Sequence, residues 1–83
     1  MTETPTIKVA IVEDLREIRD GLARLLSATP GYRCTGAYGS MEEALEKIPH
    51  NLPDLVLSDI GLPGMDGISG ITILKQRYPE LLI

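Results

Sequence analysis

Apolar and polar positions along this chain follow two different periods in alternation. Ile7-Lys8-Val9-Ala10-Ile11-Val12 is β-branched and apolar except for Lys8, and it reads as a first strand. From Asp14 the spacing changes: Leu15, Ile18, Leu22, Leu25 and Leu26 recur at three- and four-residue intervals, one face of a helix. Asp14 with Glu17 matches a capping box, which predicts Asp14 as the N-cap. Gly21 weakens this helix by about 1 kcal/mol relative to Ala, a loss the leucine-rich face absorbs, and Ala28-Thr29-Pro30-Gly31 ends it. Tyr32 to Tyr38 reads as a second, weaker strand, which Arg33 and the glycines assign to a sheet edge. Ser40 and Glu43 form another capping box, Met41, Ala44, Leu45 and Ile48 supply an apolar face, and Pro49 stops that helix.

A third strand is expected from Asp54 to Asp59. A short apolar run bounded by turn residues is the habit of a strand buried on both faces. A loop dense in Gly and Pro follows. The third helix is expected to start near Asp66 or Gly67 and run to about Tyr78, with Ile68, Ile71, Leu74 and Tyr78 on its apolar face. Lys75 and Arg77 suit the negative pole of its dipole, Pro79 ends it, and Glu80 to Ile83 looks like the start of a fourth strand.

The order β-α-β-α-β-α-β implies an α/β fold with a parallel sheet and right-handed crossovers. A weak second strand belongs at an edge, so the spatial order is 2-1-3, with a crevice between strands one and three. Glu13 and Asp14 end the first strand and Asp59 ends the third, so the three carboxylates are expected to meet there. Strands about 5 Å apart would hold these like charges close enough to repel unless a cation sits among them. Hard oxygen ligands suit Mg²⁺ better than zinc. The plainer alternative is that Asp14 only caps its helix, Glu13 points to solvent and Asp59 opens a turn.

Composition narrows the class without deciding it. Eighty-three residues at 43% hydrophobic and 24% charged make one small globular domain at most. The net charge of −4 comes without a basic cluster, so this segment offers no electrostatic footprint for nucleic acid. Cys34 is the only cysteine, which excludes a disulfide framework and fits a reducing, cytoplasmic setting. No apolar stretch approaches the length of a membrane span, and the first six residues are too polar for a signal peptide. His50 has no second ligand at metal spacing and reads as a loop residue.

Two pieces of sequence carry a resemblance. The acidic pair Glu13-Asp14 after an apolar strand, and Leu55-Val56-Leu57-Ser58-Asp59-Ile60-Gly61-Leu62-Pro63-Gly64-Met65-Asp66-Gly67, make the chain resemble the receiver domain of bacterial two-component response regulators. The match runs from about Thr6 to Ile83 and covers the first two-thirds of a receiver. The resemblance implies a flavodoxin-like (CheY-like) parallel sheet. It implies Asp59 as phosphoacceptor for a sensor histidine kinase, Asp14 as a direct Mg²⁺ ligand, Glu13 as a ligand through water, and the Gly61 carbonyl as a further ligand. Glu13 stands where the family more often has Asp. It also implies a non-enzymatic protein of the cytoplasm, without membrane contact, that controls transcription through an effector outside this segment.

The chain stops before the Ser or Thr of strand four and the Lys of strand five that a receiver supplies. The expectation is therefore a single truncated domain over 1–83 that kinases phosphorylate poorly. Its apolar edge at the third strand or the Leu81–Ile83 stub is expected to recruit a second copy, as a homodimer or higher oligomer. Three rival readings stand beside this one. A Mg²⁺-dependent phosphatase of the haloacid dehalogenase type needs a second Asp two residues after its nucleophile, where Gly61 stands. A receiver that works as a phosphorylation-independent interaction module keeps the fold without the chemistry. A dinucleotide-binding domain lacks the G-x-G-x-x-G after strand one.

Overall fold

Val9, Ala10, Ile11 and Val12 are each at most 1% exposed, which places their strand at the centre of the molecule with cover on both faces. The computed structural model describes residues 5–59 and 67–83. Its elements run β1 (Ile7–Val12), α1 (Arg16–Ala28), β2 (Tyr32–Tyr38), α2 (Met41–Lys47), a short 3₁₀ turn (Ile48–His50), β3 (Leu55–Ser58) and α3 (Gly67–Arg77). The sheet is parallel in the order β2-β1-β3, as expected. β2 pairs with β1 from Ile7↔Tyr32 to Val12↔Tyr38, with a register shift between Val9 and Ala10 that leaves Thr35 over.

One face of the sheet carries the core. Ala10, Val12 and Val56 pack with Tyr38, Met41, Ala44, Ile48, Leu74 and Leu81. α2 enters this layer as its sequence predicts: the Ser40 hydroxyl accepts the Glu43 N–H at 3.1 Å, closing the expected N-cap. Gly70 is the close approach between α3 and α2, since a β-carbon there would collide with the Met41 side chain. Lys75 does more than face a dipole: its ammonium donates to the Pro79 and Leu81 carbonyls, 2.8 Å each, and ties the chain after α3 back onto the helix.

Several expectations need correction. Asp14 does not cap α1; the helix starts at Arg16, Leu15 is the N-cap, and no side-chain hydrogen bond closes that end. The α1 stripe is not buried either, with Leu15 at 56%, Ile18 at 49% and Leu25 at 63% exposure. The helix lies over β2 and β1, so only part of its stripe meets the sheet. β3 is buried on one face only: Val56 is sealed, but Leu57, on the α1 side, is 40% exposed. Ile68 is 63% exposed, while Leu74 alone on that stripe is fully buried. The fourth strand amounts to a single bridge, Leu55↔Leu82.

Candidate metal centre at the carboxyl ends of β1 and β3

The register of the sheet builds this site. Val12↔Ser58 is the last β1–β3 pair, so Glu13 and Asp59 are the next residues out on neighbouring parallel strands. Two backbone bonds prolong the ladder past the strands. The Glu13 N–H donates to the Tyr38 carbonyl and the Asp59 N–H to the Val12 carbonyl, each at 3.0 Å. Glu13 is thereby held from the β2 side and Asp59 from the β1 side, and both carboxylates stand at the same end of the sheet.

Glu13, Asp14 and Asp59 each offer a carboxylate oxygen, and these oxygens lie within 4.8 Å of one another. Among the described residues this is the one cluster of metal-ligating side chains. Glu13 is buried at 8% exposure, whereas Asp14 and Asp59 are exposed. Burial pushes the Glu13 carboxyl above its ordinary value; Asp59, as a hydrogen-bond partner and a like charge, and then the charge of Asp14 push it further, while a hydrogen bond from the Leu15 backbone pulls the other way. Burial is the first of these causes, and the like charges of Asp59 and Asp14 add an excess of negative charge that a cation would offset. An all-oxygen donor set with that excess fits a hard divalent cation such as Mg²⁺, and two exposed members leave room for water ligands.

A shallow hollow of about 230 Å³ opens beside the acids, lined by Ile11, Val12, Glu13, Leu22, Leu57, Ser58 and Asp59. A larger one, about 670 Å³, lies where Leu52–Asp54 meets Arg77–Leu82. It sits at the opposite end of β3 and has no such ligand cluster among the described residues, so size does not select the functional end. Gly61, expected as a carbonyl ligand, lies outside the described residues, as does the rest of the 60–66 loop. His50 is exposed at the end of the 3₁₀ turn, away from the acids. A contributor that periodicity does not mark is Arg19, whose Nη1 donates to the Glu13 carbonyl at 3.0 Å and, weakly, to that of Asp14 at 3.4 Å.

A parallel β2-β1-β3 sheet with an acid cluster at its topological switch point defines an open α/β domain of flavodoxin type, with its site where such sheets bind ligands. The chain belongs to the response regulator receiver domain family, which it matches over residues 9–83. It is 38% identical over 77 residues to a protein-glutamate methylesterase/protein-glutamine glutaminase of Syntrophus aciditrophicus, covering 93% of this chain and 22% of that protein. It is 37% identical over 75 residues to the DNA-binding transcriptional activator DevR/DosR of Mycobacterium tuberculosis, covering 90% of this chain and 35% of that one. The response regulator domain of Thermotoga maritima CheB superposes with a TM-score of 0.82 at 27% identity, over 89% of this chain and 55% of that domain's chain. The chain thus spans about a fifth to a third of the length of these curated relatives. Among the described residues no helix is long and apolar enough to cross a membrane.

Proposed function

We propose that this chain is the phosphoacceptor part of a two-component response regulator. Asp59 takes a phosphoryl group from a sensor histidine kinase in the cytoplasm, and Mg²⁺ is held by Glu13, Asp14, Asp59 and the Gly61 carbonyl. The observation that carries this is the gathering of three carboxylates within 4.8 Å at one end of the sheet. Membership in the receiver family supports the reading.

The residues divide the work by burial. Asp59 is exposed and its backbone is fixed by the Val12 carbonyl, so its carboxylate oxygen can meet an incoming phosphorus atom. That oxygen forms the new P–O bond as the P–N bond to the donor imidazole breaks, and the imidazole keeps the electron pair and takes up a proton. When bound, the cation offsets the charge on the phosphoryl oxygens. Glu13, buried and hard to ionise, contributes a full negative charge once a cation is present to compensate it. The acyl phosphate adds roughly two negative charges at the rim, enough to bias a surface with two arrangements.

In this reading residues 1–83 act as one receiver unit and not as an enzyme, and the regulator of which they are part controls transcription through an effector. The name of the DevR/DosR relative supports that output. A second copy of the chain is a further partner. Beyond the Leu55–Leu82 bridge, the Val56 carbonyl and Ser58 N–H on the outer side of β3 meet no backbone group among the described residues. Exposed Leu57 and Leu82 flank that edge, which suits strand addition.

The test of the phosphoacceptor reading uses beryllofluoride with Mg²⁺, followed by fluorine NMR, and a small-molecule phosphodonor followed by intact mass. The wild-type chain should bind the fluoride adduct and gain one phosphoryl group, and Asp59→Asn should do neither. Equal modification of both proteins, or beryllofluoride binding by neither, rejects the assignment. The interaction-module alternative predicts the second outcome.

A further inference from the structure

The sequence reading assigns the hold on Asp14 to its own side chain as a helix cap, and the structure removes that hold. What takes its place is Arg19, on the first turn of α1, where its own N–H closes onto the Leu15 carbonyl at 2.9 Å. Its guanidinium reaches back to the Glu13 carbonyl at 3.0 Å and the Asp14 carbonyl at 3.4 Å. Among the described residues it makes no ion pair with either acid, so it grips the peptide units and leaves the carboxylates unneutralised.

A second element is shaped around the same group. A β-carbon on Gly39, in the turn between β2 and α2, would lie 3.1 Å from Arg19 Nη1 and 3.7 Å from its Cζ. The φ of Gly39 is not positive, so the backbone does not demand glycine there; the room is taken by the guanidinium. Glu13 is therefore fixed at its N–H by Tyr38 and at its carbonyl by Arg19. The planar peptide between Glu13 and Asp14 transmits that constraint to Asp14.

We infer that Arg19, seated against Gly39, is a positioning residue for the cation site: by holding the Glu13 and Asp14 carbonyls it aims their carboxylates at Asp59. The inference rests on the cation reading of the acid cluster. Two effects of Arg19 oppose one another, and their signs differ. Its positive charge disfavours a nearby cation, whereas its hold on the loop spares the cation the work of ordering two ligands. Positioning groups behind metal ligands are typically worth 10–100-fold in affinity. Arg19 is half-buried, so solvent still screens its charge and the hold should win.

Mg²⁺ titration by calorimetry, with thermal melts in chelator and in saturating Mg²⁺, tests this on the wild-type chain, Arg19→Ala, Arg19→Lys and Gly39→Val. Arg19→Ala should weaken Mg²⁺ about tenfold. Arg19→Lys, which keeps the charge and one donor, should recover part of that loss. Gly39→Val, which displaces the guanidinium without removing its charge, should also weaken Mg²⁺. The Mg²⁺-dependent rise in melting temperature should shrink in parallel, while melting in chelator stays near wild type, a pattern that a merely structural role does not give. Unchanged or tighter Mg²⁺ binding by Arg19→Ala or Gly39→Val overturns the inference. A wild-type chain that takes up no Mg²⁺ overturns the cation reading itself, a different result on the same instrument.

Discussion

Replacing Asp59 by Asn should stabilise the metal-free chain, although Asp59 is the residue on which the proposed chemistry turns. The carboxylate oxygens of Glu13, Asp14 and Asp59 lie within 4.8 Å of one another, so the substitution relieves two like-charge pairs. At that separation one pair costs about 0.9 kcal/mol in a water-like dielectric and about 3.5 kcal/mol at an effective dielectric of 20. Asp14 and Asp59 are exposed, which favours the lower figure. Glu13 holds its proton more tightly than usual, which weakens its pair. The net gain is then about 1–2 kcal/mol, or roughly 4–15 °C in melting temperature for a domain of this size. Thermal melts by circular dichroism at pH 8 in chelator measure it. In 1 M salt the Debye length falls to about 3 Å and the gain should diminish. In Mg²⁺ at about a hundred times its Kd the wild type should recover roughly 2.7 kcal/mol, and Asp59→Asn much less, so the gap closes or reverses. If Asp59→Asn melts at or below wild type in chelator, the three carboxylates do not share a field and the case for a cation among them fails.

The remaining predictions concern protonation and assembly. The folded chain keeps a proton on Glu13 that the unfolded chain releases near the ordinary value of 4.5. Its contribution to stability is therefore fully present below that value, declines as pH rises through the higher folded value, and is flat above it. Denaturant melts across this range should show the decline in wild type and not in Glu13→Gln, and identical profiles would refute it. The outer edge of β3, unpaired beyond the Leu82 bridge among the described residues, predicts concentration-dependent self-association by light scattering. Leu57→Lys, at a residue already 40% exposed, should shift the chain towards monomer. A wild type that stays monomeric at high concentration rules out pairing at this edge.

Much of this architecture was legible in the chain. Switches between two-residue and helical periods located β1, β2, α2 and α3, and the Ser40–Glu43 pair marked the start of α2 correctly. Arg33 and the glycines put β2 at an edge, and the 2-1-3 order followed. Local signals succeed where the partner is close in sequence: a cap acts within one turn, and a strand's face repeats every second residue.

What the sequence could not decide was which surface each pattern would meet. The apolar residues of α1 trace a helical stripe as regular as that of α2, yet Ile18 and Leu25 stay largely exposed on a helix that lies mainly over β2 and β1. Leu57 is 40% exposed as well, although the short apolar run of β3 had read as a strand covered on both sides. Asp14 and Glu17 spell a capping box, but the loop is drawn out instead, with its carbonyls on Arg19 and the helix opening at Arg16. The order of residues supplied three acids and the strands to carry them. Only the parallel register, with Val12 opposite Ser58, set Glu13 and Asp14 next to Asp59, because pairing between distant segments is chosen by the packing of the whole sheet.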